Sequence, residues 1–164
     1  MSGELRVLPV EGMPEVREGD RVGQLITERT ELQPGDVVVI SQKIVSKAEG
    51  RVVRLDSVIP SERARELAEK LGREAELVEL VLSESREVLR EGRVLITETE
   101  HGFVCANAGI DSSNLPDDET VCLLPQDPDA SARRIRTELA PASEEPGMGV
   151  AGPSPLLSAD PHPR

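Results

Sequence analysis

At 164 residues the chain has room for one domain with a single buried core, and its 37% apolar content is low within the globular range. A formal net charge of −12 and a single aromatic residue, Phe103, argue against a single-strand nucleic-acid binder, whose phosphates would be repelled and whose bases would find no rings to stack on. A small anionic ligand remains admissible where a metal ion, a few placed cations or backbone N–H groups offset the acidic surroundings.

Cys105 and Cys122 are too few for a disulfide framework and lack a zinc-type spacing, so both read as reduced, buried thiols. Charged residues run through the first twenty positions and no apolar run approaches a membrane span. The expectation is a cytoplasmic protein with neither a membrane nor a nucleic acid as partner.

In chain order, Leu5–Val10 reads as a strand running into the Glu11-Gly12-Met13-Pro14 turn. Asp20 is placed to cap a helix with Val22, Leu25 and Ile26 on its apolar face. After a turn at Gln33–Asp36, the β-branched run Val37–Ile40 and a second run through Ile44 and Val45 predict two strands, or one strand and a structured loop. Arg51–Leu55 alternates as a further strand. Ser61 caps a helix carrying Ala64, Leu67, Ala68 and Leu71 and stopped by Gly72. The next helix is expected to carry Leu77, Leu80, Val81 and Val88 to a stop near Gly92. Strands follow at Val94–Thr99, Phe103–Ala106 and Val121–Leu124, and Asp127-Pro128 opens a last helix with Ala132, Ile135 and Leu139 inward. From Pro141 to Arg164, six prolines and three glycines without an apolar period predict a disordered tail. The expected organisation is an α+β domain over residues 1–140 and a tail over 141–164.

Three segments carry polar chemistry. Glu11-Gly12-Met13-Pro14 allows close backbone approach to a ligand, or is an ordinary turn. Ser41-Gln42-Lys43-Ile44-Val45-Ser46-Lys47-Ala48-Glu49-Gly50 offers hydroxyl, amide and ammonium donors suited to phosphate or ribose, without the spacing of a Walker loop; its alternative is a solvated loop with Lys47 paired to Glu49 or another acid. Ala106-Asn107-Ala108-Gly109-Ile110-Asp111-Ser112-Ser113-Asn114 ends an apolar strand with a carboxylate suited to magnesium or manganese, or forms an Asx-type turn. His101, in a predicted hairpin turn, reads as structural.

In that order, Leu8–Pro14, Ser46–Gly50, Gly102–Asn114 and Leu124–Ala132 resemble the coenzyme F-420 γ-glutamyl ligases over roughly Leu5 to Leu139. The resemblance implies an α+β fold particular to that family, a homodimer, and a ligase that uses GTP to phosphorylate the terminal carboxylate of the coenzyme F-420 precursor before the amine of L-glutamate displaces phosphate. By matching position it implies GTP contacts at Glu11, Gly12, Met13, Pro14, Ser41, Gln42, Lys47 and Asn114. It further implies a divalent ion, magnesium or manganese, on Asp111, with potassium as a further ion. Lys43 is left without a role. The family pattern continues into a strand and an Asp-Thr-x-Gly-Arg loop with further metal ligands, where this sequence has its Pro/Gly/Ser stretch. The expectation is therefore a shortened chain with weakened metal binding and impaired catalysis. The other readings are a non-catalytic nucleotide-binding module and a fragment without function.

Overall fold

The computed structural model describes residues 5–111 and 119–140. It confirms an α+β architecture in which five short helices surround two small antiparallel sheets. The helices are α1 (Val22–Thr27), α2 (Gln42–Ala48), α3 (Glu62–Leu71), α4 (Ala75–Ser83) and α5 (Pro128–Leu139). One sheet pairs β1 (Val52–Arg54) with β5 (Thr120–Cys122), setting Val52 opposite Cys122. The other runs β2 (Ser85–Arg90), β3 (Ile96–Thr99) and β4 (Val104–Ala106) in sequence order.

Local signals fix α3 and α5. The Ser61 hydroxyl accepts the Ala64 N–H at 3.2 Å, and Gly72 closes the helix at φ 63° in the left-handed region, where a side chain would be strained. Asp127 accepts the Ala130 N–H at 2.8 Å, with Pro128 at the first helical position. Of the inner face expected for α5, Ile135 is buried and Leu139 half-buried, but Ala132 is exposed and Ser131 takes the inward place.

Four expectations are corrected. Leu5–Val10 forms no strand: nothing pairs with it among the described residues, and Leu5, Val7 and Leu8 lie largely exposed. Val37–Ile40 is likewise unpaired there; Val38 and Ile40 turn inward while Val37 and Val39 face out. Ile44 and Val45 belong to helix α2, because that conformation brings Ile44, Val45 and Ala48 together against Val22, Ile26 and Ile135, and this packing overrides β-branched propensity. Finally, α4 ends at Ser83, where the Ser83 and Ser85 hydroxyls donate back to the carbonyls of Leu80 and Val81; Val88 then lies in β2.

Asp20 also does not cap α1. Its carboxylate accepts the Arg17 N–H at 2.7 Å, and the start of α1 is served from across the fold, where Glu138 of α5 accepts the Gly23 N–H at 3.0 Å.

The core has three clusters. Leu67, Val78, Val81 and Leu95 centre the first; Leu55, Leu80, Val121 and Leu123 form the second. The third, Val22, Ile26 and Ile135 with Met13 and Val45 against it, joins α1, α2 and α5 and carries the first two polar segments, whereas Ala108 of the third sits in the first cluster.

Candidate functional site

Helix α2 organises the site. Lys43 and Lys47 stand four residues apart, a separation that puts them on one face of the helix. Lys43 Nζ lies 2.8 Å from Asp111 Oδ2, and Lys47 Nζ lies 2.5 Å from Glu15 Oε1, directly after the Glu11–Pro14 segment. Both lysine side chains are largely sheltered, at 15% and 17% exposure, so their charges act where solvent screens them less than at an open surface. The Lys47 ammonium, by hydrogen bond and by charge, holds the Glu15 carboxyl below its ordinary range against the opposing effect of burial, with a lesser contribution from Arg17.

The framework beneath these lysines is fixed. Gln42 Nε2 donates to the Leu123 carbonyl at 3.0 Å and to the Ser46 hydroxyl at 2.6 Å. Ser46 is fully buried beside Cys122, the buried thiol of β5. Burial pushes that thiol up, against the Ser46 hydrogen bond and the charge of Lys43; Asp111 raises it further and Lys47 lowers it. The charges of Lys43, Asp111 and Lys47 are thus all felt at this buried thiol. Asp111 is anchored there through its backbone, exchanging hydrogen bonds of 2.8 and 3.0 Å with Cys122. The approach to it is strained: Asn107 and Ala108 both take positive φ, 49° and 53°, before Gly109 at 72°, and such conformations persist only where surroundings enforce them. Asn107 is held by its side-chain oxygen, which accepts the Leu95 N–H at 3.2 Å.

The N-terminal segment is tied down from α1. Arg29 Nε donates to the Gly12 carbonyl at 2.9 Å and its Nη1 to the Leu25 carbonyl at 2.6 Å. Gly12, at φ 70° with open space around its Cα, leaves the backbone exposed, while Met13 packs into the third cluster.

Of the residues expected to bind nucleotide, Lys47 lies on α2, and its partner Glu15 directly follows the Glu11–Pro14 segment; Asp111, the expected metal ligand, pairs with Lys43 of the same helix. Ser41 precedes α2 and is exposed, and Gln42 spends its amide N–H groups on the framework. Asn114 lies outside the described residues. Lys47 does have an acidic partner, but it is Glu15 and not Glu49. Lys43 and Glu15 escaped the sequence reading because their placement depends on α2 being a helix. His101 sits in the β3–β4 turn, its Nε2 2.9 Å from the Gln126 carbonyl and its ring stacked on Phe103.

No group of three acidic, histidine or cysteine side chains suited to a metal exists among the described residues, so a divalent ion at Asp111 would find fewer than three such donors. That donor set fits an ion shared with phosphate oxygens, which needs only one or two carboxylates, and does not fit a cage built by protein alone. A broad groove of about 1080 Å³ lies between Leu32–Ile40, Phe103 and α5; it is mainly apolar and shares only Gln42 with the expected contacts. Among the described residues no helix is long and apolar enough to cross a membrane.

Glu49 clamps this arrangement from the far end of α2. It accepts from Ser131 Oγ, from Arg134 Nη2 at 2.7 Å and from the Gln126 N–H at 3.3 Å. Burial alone would raise its pKa; the three hydrogen bonds and the Arg134 charge outweigh burial and leave it below the ordinary 4.5. A depressed carboxyl stabilises the fold above its unfolded-state pKa and loses that contribution as pH falls through the folded value. Glu49→Gln should cost about 1 kcal/mol at neutral pH, allowing for partial solvent screening. Urea unfolding should show the gap from the parent closing as pH falls below the ordinary carboxylate range. A constant gap down to acid pH would mean that the charge contributes nothing.

Residues 12–146 match the model of a family described as F420-0:Gamma-glutamyl ligase. The chain is 45% identical over 135 residues to a coenzyme F420:L-glutamate ligase of Archaeoglobus fulgidus, covering 82% of this chain and 54% of that protein. A protein of the same name from Methanothermobacter thermautotrophicus is 45% identical over 145 residues (85% and 57%), and one from Methanopyrus kandleri 46% over 136 residues (82% and 54%). The chain spans about half the length of the curated relatives it matches.

Proposed function

Because the chain belongs to the F420-0:Gamma-glutamyl ligase family, we propose that its α2 face is the phosphate end of a GTP site serving ligation of L-glutamate to the coenzyme F-420 precursor. The observation that carries this reading is that Lys43 and Lys47, on one face of α2, pair with Asp111 and with Glu15, the residue directly after the Glu11–Pro14 segment, in an otherwise acidic molecule.

In the proposed reaction an oxygen of the precursor's terminal carboxylate attacks the γ-phosphorus and the bond to the β-phosphate oxygen breaks, giving GDP and an acyl phosphate. The glutamate amine then attacks the acyl carbon, phosphate leaves with the C–O electron pair, and the nitrogen loses its proton to give the amide. Lys47 is placed to neutralise phosphate charge as it spreads during transfer. The Glu11–Pro14 backbone, braced by Arg29, would hold the nucleotide in position, and such alignment is a large part of catalysis. Asp111 would hold a magnesium or manganese ion, which would supply neutralisation of phosphate charge. Cytoplasmic location, a potassium ion and a homodimeric assembly complete the proposal.

The test is to incubate the purified chain with GTP, magnesium or manganese, L-glutamate and the precursor, and to follow GDP and γ-glutamyl product together. Product matched by GDP supports the ligase reading. Metal-dependent GTP binding by calorimetry without product supports the non-catalytic nucleotide-binding module, and the absence of both counts against the site.

A further inference from the structure

We propose that Lys43 is an internal counter-cation of Asp111, one that yields the carboxylate to a divalent ion more readily when a nucleotide accompanies the ion. The inference rests on the reading of Asp111 as a metal ligand and adds a residue and an order of binding to it.

Both members of the Lys43–Asp111 pair are mounted on fixed parts of the fold. Lys43 projects from α2, which Gln42 ties to the Leu123 carbonyl, and Asp111 is tied by two backbone hydrogen bonds to Cys122, the residue before Leu123. The 2.8 Å ion pair therefore joins two elements anchored side by side on the same stretch of chain. The Lys43 side chain is 15% exposed and that of Asp111 39%, so the acid is the more accessible member of the pair. An ion can reach Asp111 from solvent, but it meets a carboxylate whose charge is already offset.

A divalent ion arriving alone must compete with this ammonium and can return nothing to it. Ion pairs of partly exposed groups are modest in strength, which makes the competition reversible. An ion arriving on a polyphosphate brings anionic oxygens with it. Lys43, one helical turn from Lys47, can turn to those oxygens when it gives up Asp111. The energetic consequence is positive coupling between metal and nucleotide, with each increasing the affinity for the other.

The measurement is free Mn2+ followed by electron paramagnetic resonance during titration with the full chain, with and without a non-hydrolysable GTP analogue. Without nucleotide, Lys43→Met should bind Mn2+ about threefold to tenfold more tightly than the parent, and with the analogue that advantage should shrink to about twofold or less. Lys43→Gln, which keeps a polar head, should behave in the same way and serves if the methionine variant does not fold, as judged by thermal unfolding. Equal or weaker Mn2+ binding by the Lys43 variants, with Asp111→Asn still abolishing it, overturns the counter-cation role and leaves Asp111 as a ligand. Binding that survives Asp111→Asn removes the metal reading and this inference together.

Discussion

Lys47→Ala will lower affinity for GTP in the presence of magnesium by at least about tenfold, because a charge-assisted contact to phosphate is worth roughly 1.5–3 kcal/mol. The structure adds a test of sign. In the free protein Lys47 is bound to Glu15 at 2.5 Å, so a nucleotide must displace that carboxylate to reach the ammonium. Glu15→Gln removes the competitor and one negative charge beside the phosphates, and should therefore tighten GTP binding. Lys43→Met should cost less than Lys47→Ala, because the phosphate contact it forfeits is offset by easier access of the metal to Asp111. Calorimetric titration of the variants in magnesium buffer distinguishes these cases. Equal losses at the two lysines would mean that α2 offers only a diffuse positive patch, and weaker binding by Glu15→Gln would make that carboxylate part of the site instead of its competitor.

The contrast between the two lysines shows which parts of the molecule the sequence discloses. Helices α3 and α5 are legible because their signals are local: a serine or aspartate three residues before the N–H that it caps, and a glycine or a proline at the proper end. Helix α2 is hidden because Ile44 and Val45 continue a β-branched run, and only contacts with α1 and α5, distant in sequence, decide for the helix. The site inherits that blindness. Lys47 and Asp111 could be named by resemblance to a family, but the Lys43–Asp111 and Lys47–Glu15 pairs need the helical period and the return of β5 beneath it. Conversely, the alternation in Val37–Ile40 is visible in the sequence and does place Val38 and Ile40 inward, but a strand also needs a partner for its backbone, and the described residues supply none.

The fold's dependence on the α1–α5 contact leads to the largest expected loss of stability, at a glycine in the first turn of a helix. A glycine there ordinarily weakens the helix, so replacing Gly23 by a larger residue should stabilise α1 on propensity alone, by less than about 1 kcal/mol. The surroundings reverse that sign. A Cβ on Gly23 would stand 2.4 Å from Glu138 Cβ and 3.0 Å from the Ile135 carbonyl oxygen, and neither can withdraw as the free end of a flexible side chain can. Gly23→Val would force α5 away from α1, lengthen the 3.0 Å hydrogen bond from the Gly23 N–H to Glu138, and open the cluster of Val22, Ile26 and Ile135. Overpacking of this kind costs about 1–3 kcal/mol, and the valine should fall near the upper end because a hydrogen bond is lost with it. Glu138→Ala leaves the Cβ in place, so it cannot relieve the clash and should add to the loss. Glu138→Gly removes that Cβ and should recover part of the stability lost by the valine variant, despite the cost of a second glycine in a helix. Urea denaturation of the two single variants and the double variant measures the coupling. A Gly23→Val protein as stable as the parent would show that α1 and α5 separate without penalty, and that the close approach at Gly23 is not what holds α2 and its lysines against the rest of the fold.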